Sequence, residues 1–148
     1  MEHVEYVYTE GLTEEAVDHR LRDRGHGVVA LADGAESYAV PINYVYEDSR
    51  LLLRMSEEAG SEKVAFAEST ETATLVVYDV DEEGSWSVLL RGPIRRLSAN
   101  EQAAFTDRWI NERFPPFRLF DEDVEDVEMV FYELEVVERV GRRTVGRE

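Results

Sequence analysis

Between Ser37 and Glu47 the chain alternates strictly: Tyr38, Val40, Ile42, Tyr44 and Tyr46 fall on one side, and Ala39, Pro41, Asn43 and Val45 on the other. A period of two cannot be wrapped on a helix, so this segment is committed to a strand with one face turned to a core. Its surroundings extend the constraint. Gly27 to Ala32 is an apolar run of strand length ending at Asp33-Gly34, a hairpin signal, and Glu47-Asp48-Ser49 turns the chain into Leu51 to Ser56. Three consecutive strands with such short connections predict an antiparallel meander.

The rest of the chain repeats the theme. Thr13 to Arg24 reads as a short helix with Thr13 as N-cap, Ala16, Val17 and Leu21 turned inward, and Gly25 or Gly27 as its stop. A second short helix is expected over Ser61 to Glu68. Strands follow at Ala73 to Val80 and Ser85 to Leu97, the latter carrying Gly92-Pro93 as a bulge or bend. Ser98-Ala99-Asn100-Glu101 has the form of a capping box, opening an amphipathic helix with Ala104, Phe105, Trp109 and Ile110 inward and Phe114-Pro115-Pro116 as its end. A last strand is expected from Met129 to Glu138, with a frayed basic tail after Gly141. Six hairpin-linked strands with three short helices predict a mainly β protein, a six-stranded antiparallel barrel with helical covers, in a single domain spanning 1–148.

Charge and composition narrow the function. Net charge is −17, and the acidic residues are spread between the apolar strands, so phosphate backbones are repelled and nucleic acid is not an expected partner. Abundant Asp, Glu and Arg with a single lysine point to a protein kept soluble in a salt-rich cytosol, where screening relieves self-repulsion. No apolar run reaches the length of a membrane span, which makes a cytoplasmic protein the expectation. Cysteine is absent, which removes disulfides, thiolate metal sites and cysteine nucleophiles.

That single lysine is Lys63, in Gly60-Ser61-Glu62-Lys63-Val64. It falls where a strand hands over to a helix start. The first turn of a helix offers unbonded N–H groups and a positive dipole end, and a Ser hydroxyl and an ammonium beside it suit a phosphate group.

Tyr38-Ala39-Val40-Pro41-Ile42-Asn43-Tyr44-Val45-Tyr46, then Leu51 to Ser56, then Ser61-Glu62-Lys63, resembles the FMN-binding split-barrel proteins related to pyridoxamine 5′-phosphate oxidase. The resemblance implies a homodimer with FMN in a cleft between two barrels. It implies that Pro41, Ile42, Asn43 and Tyr44 line the isoalloxazine, through backbone groups and the Asn43 side chain. Ser56, Ser61 and Lys63 would hold the phosphate, with Arg54 adjoining. A proline gives up a ladder donor, so Pro41 suits a place where a ligand faces the backbone. Many relatives carry a second basic residue where this chain has Glu62, and Gly141-Arg142-Arg143 does not supply the oxidase's substrate-binding arginine and histidine. The implied function is therefore a flavin-dependent oxidoreductase of another substrate. The alternatives are a flavin carrier or interaction module without turnover, or a relative that binds a deazaflavin or haem.

No other constellation carries chemistry. His3, His19 and His26 are isolated, with no second ligand at metal spacing. Asp121 to Asp126 lacks the glycine and terminal glutamate of a calcium loop and reads as a solvated face. Trp86 and Trp109 read as core or interface residues, and no catalytic acid or base is nominated.

Overall fold

The computed structural model describes residues 9–57, 62–114 and 128–144. In chain order the elements are β1 (Thr9–Gly11), α1 (Glu14–Arg24), β2 (His26–Asp33), β3 (Glu36–Glu47), β4 (Arg50–Glu57), α2 (Glu62–Ser69), β5 (Ala73–Val80), β6 (Ser85–Gly92), β7 (Ile94–Arg96), α3 (Ala99–Ala103), α4 (Asp107–Arg113), β8 (Glu128–Leu134) and β9 (Glu138–Thr144). All pairings are antiparallel, in the order β1-β9-β6-β5-β2-β3-β4-β8-β7.

The nine strands contain the expected six-stranded barrel. β6 and β7 are one strand bent at Pro93: its first half pairs with β5 and its second half with β8, which brings the two ends of the sheet together. β8 and β9 bend alongside it, held by Glu135 N–H donating to Pro93 O (2.9 Å) and Val137 N–H donating to Arg91 O (2.8 Å). Gly92 makes this crossing possible. A Cβ there would stand 1.7 Å from the Glu135 carbonyl oxygen, so only glycine fits.

Inward-facing residues follow the period of two on β2, β3, β4, β5, β6 and β8. Val29 and Leu31, Val40, Ile42 and Tyr44, Leu51, Leu53 and Met55, Leu75 and Val77, Val88 and Leu90, and Val130, Tyr132 and Leu134 fill the barrel. The helices close its two ends. At one, Tyr44 donates to the Leu21 carbonyl of α1 (2.8 Å) and Tyr46 to Asp18 (2.7 Å), whose carboxyl also pairs with Arg139 (3.0 Å). At the other, Phe66 of α2 stacks on Tyr38 (centroids 5.1 Å apart), and Thr70 bonds both the N–H and the carbonyl of Ala32. Outside the barrel, α3 and α4 cover β3, β4 and β8 with a second cluster. It contains Val45, Leu52, Leu97, Phe114 and Phe131, packed by Phe105, Trp109 and Ile110.

Three sequence expectations are corrected. The helix expected from Ser98 to Phe114 is two helices, because Thr106 acts as a second N-cap through Trp109 N–H (3.0 Å); Ala104 is consequently exposed. The capping box at Ser98 is present, and the Glu101 carboxyl is held down to about 2, first by Arg95 and then by the Ser98 backbone N–H. The strand expected from Met129 to Glu138 is interrupted where it crosses Gly92 and resumes as β9. The basic tail is not frayed at Gly141: β9 runs to Thr144, with β6 on one side and β1 on the other. β1 itself carries too few residues to show a period. Among the described residues no helix is long and apolar enough to cross a membrane. His3 and Asp121 to Asp126 lie outside the described residues.

Because the strand crossing leaves no room for a side chain, Gly92→Ala is expected to lower unfolding free energy by about 2–3 kcal/mol. Urea melts read by tryptophan fluorescence measure this, and a loss within error would remove the crossing as a closure constraint.

Candidate functional site

The site begins with a hydrogen bond that a proline cannot make. Tyr44 N–H donates to Gly25 O (3.0 Å), which fixes the parity of β3: even-numbered residues bond to β2, and the odd ones, Pro41 and Asn43 among them, face β4. The β3–β4 ladder runs from Glu47↔Arg50 to Asn43↔Arg54 and ends there. Its next rung would join Pro41 to Ser56 and needs an N–H that Pro41 lacks. Beyond that point β3 continues with β2 alone, to Glu36↔Asp33, and β4 with β8 alone, to Glu57↔Glu128. The two strands therefore part, and α2 lies across the opening in contact with β2, β3, β4 and β7.

Register sets Pro41, Asn43 and Arg54 on the outer face of neighbouring strands, and Lys63 lies on α2, which contacts both of those strands. Pro41 is exposed on the outer face at the point of parting, and Asn43 and Arg54 are the last ladder pair. Lys63 is half-buried in the first turn of α2, beside Glu62. Ser56 sits on β4 opposite Met129, with only its backbone described, and Ser61 lies outside the described residues. Ile42 and Tyr44 alternate with Pro41 and Asn43, so their side chains enter the barrel core. Tyr44 is only 1 % exposed, and burial holds its phenol well above its ordinary value. Their N–H and C=O groups are turned to β2, so these two can meet a ligand only by contact across the face of the backbone.

Asn43 is the informative side chain. It is 5 % exposed, and its Oδ1 accepts no hydrogen bond among the described residues. An unsatisfied buried acceptor costs about 1–3 kcal/mol, so its retention needs a reason. A ligand with an N–H, placed where the ladder opens, supplies one. Its neighbour Arg54 lies over the Phe114 ring, with the guanidinium carbon 5.0 Å from the centroid, which ties this corner to the aromatic cluster beneath α4.

Sequence reading missed His26. Register places it directly across from Asn43, so His26, Asn43 and Arg54 form one row over β2, β3 and β4. The signal was available in principle, since the hairpin at Asp33-Gly34 fixes that pairing. Trp86 is half-buried on β6 with the Arg20 guanidinium 4.8 Å above its ring, and Trp109 stacks on Phe105. Among the described residues no three histidines or carboxylates gather as a metal site.

The geometry fits a flat ligand with an anionic end: apolar outer strand surface, an orphan acceptor at the rim, and cationic groups on β4 and α2. It offers backbone and side-chain binding groups but no evident proton-transfer relay.

The sequence pattern of the pyridoxamine 5′-phosphate oxidase family matches residues 13–143, and the chain belongs to that family. Solved structures share the fold. A FAD-binding protein from Mesorhizobium loti superposes with a TM-score of 0.68 at 16% identity, covering 95% of this chain and 100% of that one. The FAD binding protein from Mycobacterium smegmatis gives 0.67 at 21% identity, covering 91% and 98%. A FAD and heme binding protein from the same organism gives 0.66 at 19%, covering 93% and 74%. No protein with a curated description matches the chain.

Asn43→Leu removes the orphan acceptor while keeping side-chain volume. Without ligand, the variant is expected to match or exceed the parent in stability, by up to about 2 kcal/mol. A clear loss of stability in denaturant melts would show that Oδ1 is satisfied within the fold.

Proposed function

We propose that this chain, a member of the pyridoxamine 5′-phosphate oxidase family, is a homodimeric protein that binds FMN non-covalently and supports a redox reaction. The observation that carries this reading is the parting of β3 and β4 at Pro41, beside a buried Asn43 oxygen with no donor among the described residues and with Lys63 on the helix across the opening. The family match and the FAD-binding proteins of like fold support a flavin over other flat anions.

In this reading the ring lies along the outer face of β3, against Pro41 and the backbone of Ile42 to Tyr44, and Asn43 Oδ1 accepts a ring N–H. Lys63, Ser61, Ser56 and Arg54 hold the phosphate end. The flavin, when bound, supplies the hydride and electron chemistry. The protein orients it, shields one face and neutralises the phosphate. Glu62 opposes that phosphate and weakens the site relative to one carrying two basic residues.

A second copy of the chain is supported by the outer face of the sheet. The row Pro41, Val28, Val76, Leu89 and Val140 is apolar across five strands, and Tyr78 and Val80 flank it at 52% and 66% exposure. Such a continuous apolar stripe on a chain of charge −17 suits burial against its own copy. It also starts at the cofactor strand, so the partner would lie beside the cofactor.

Purified protein is expected to be yellow and to release FMN on denaturation. Lys63→Ala is expected to weaken FMN binding by about 1.5–3 kcal/mol through loss of a charge-assisted bond. Colourless protein that ignores added FMN and FAD would end the reading. FAD bound in preference to FMN would correct the nucleotide, and bleaching by NAD(P)H would distinguish an enzyme from a carrier.

For the assembly, Leu89→Asp combined with Val140→Asp is expected to halve the mass seen by sedimentation. Both side chains are solvent-accessible, so the fold survives. A parent that already sediments as a monomer would remove the dimer.

A further inference from the structure

Beside Pro41, between the end of α1 and the outer faces of β2, β3 and β5, lies a hollow of about 180 Å³, lined by Arg24, His26, Val28, Pro41, Tyr78 and Asp79 among others. Its shape follows from local chemistry. Gly25 ends α1 in the left-handed conformation (φ 75°), which sets Arg24 above the sheet. Gly27 lies at the base of the hollow with its missing side chain on the core side, where a Cβ would meet the Val76 carbonyl oxygen at 2.5 Å and the Val77 side chain at 3.1 Å. Val28, Pro41 and the Tyr78 ring give apolar walls suited to a single flat ring.

The polar end is incompletely bonded. Arg24 Nη1 stands 3.4 Å from Asp79 Oδ2, a long contact for an ion pair. Asp79 Oδ1 is committed to the Val80 N–H (2.9 Å). Arg24 Nε is shielded from solvent and donates to nothing among the described residues. The pair thus offers a free donor next to an acceptor with spare capacity. Together the two charges cancel, and with a chain at −17 a carboxylate ligand has little to gain.

We infer that this hollow is a binding site for a neutral planar ring bearing an amide, whose carbonyl accepts from Arg24 and whose N–H donates to Asp79. The ring lies on Pro41 and Val28 against Tyr78, and His26 borders it on the side of Asn43. The site goes beyond the cofactor reading. It shares Pro41 with that reading, so its occupant would sit beside a bound flavin as substrate or donor, while Arg24, Tyr78 and Asp79 take no part in holding the cofactor.

The test uses flavin-free protein, so that the two readings fail separately. Nicotinamide is titrated into the full chain and followed by NMR of the nicotinamide ring protons, with nicotinate as its anionic counterpart of the same shape. Saturable binding of nicotinamide is expected, with nicotinate at least roughly tenfold weaker. Arg24→Gln and Asp79→Asn are each expected to weaken nicotinamide by about tenfold, since each leaves one amide group unpaired. Tyr78→Ala, at a half-exposed ring whose loss spares the core, is expected to weaken it severalfold. Arg20→Gln, over Trp86, is expected to change nothing. No saturable nicotinamide binding, tighter nicotinate, or an affinity indifferent to both Arg24→Gln and Asp79→Asn would overturn the assignment.

Discussion

A missing N–H organises this molecule. Pro41 stands at the one rung where β3 would go on bonding to β4, and without a donor the ladder stops at Asn43 and Arg54. The strands then part, each satisfied on its other side by β2 or β8. The parting gives α2 a place to lie and leaves a stretch of β3 backbone facing away from any strand. It also strands the Asn43 oxygen in a buried position. The opening between the strands, the seat of α2 and the position of the Asn43 oxygen all descend from one residue's lack of a hydrogen.

The opposite side of the barrel solves the reverse problem. There the sheet must close, and it does so by bending one long strand at Gly92-Pro93 so that β5 and β8 share it. Glycine allows the crossing chain to approach, and proline sets the corner. Closure on one side is what lets the other side stay open without loss of the core, because every barrel-facing residue remains covered. The two prolines therefore act in opposite senses, one ending a pairing and the other redirecting it.

The polar architecture is divided in the same way. Tyr44 and Tyr46 spend their hydroxyls on α1, and Arg139 pairs with Asp18 to lock that corner. Those groups are committed to the scaffold. Asn43 Oδ1 and Arg24 Nε, on opposite sides of the His26 position, are not committed, and both border Pro41 or its ladder neighbour. Buried polar atoms that find no partner among the described residues, one on β3 and one at the end of α1, mark where binding is expected.

Much of this was legible in the sequence, for a physical reason: alternation and turn chemistry are local. The period of two in Tyr38 to Tyr46, Asp33-Gly34, the Gly92-Pro93 bend and the Ser98 capping box each act within a few residues, and each has its counterpart in the fold. Lys63 at a helix start and Pro41 on a strand were visible too. Short range also explains the failures. Thr106 competes as a cap within an amphipathic run, and β1 and the end of β9 become strands only because partners distant in the chain bond to them. The sequence alone determined which strand residues face the barrel and where the hairpins turn. Tertiary structure alone decided that β3 and β4 part at Pro41, that Asn43 Oδ1 finds no partner among the described residues, and that Arg24 arrives beside Pro41. Those outcomes depend on register between strands, which no single segment encodes.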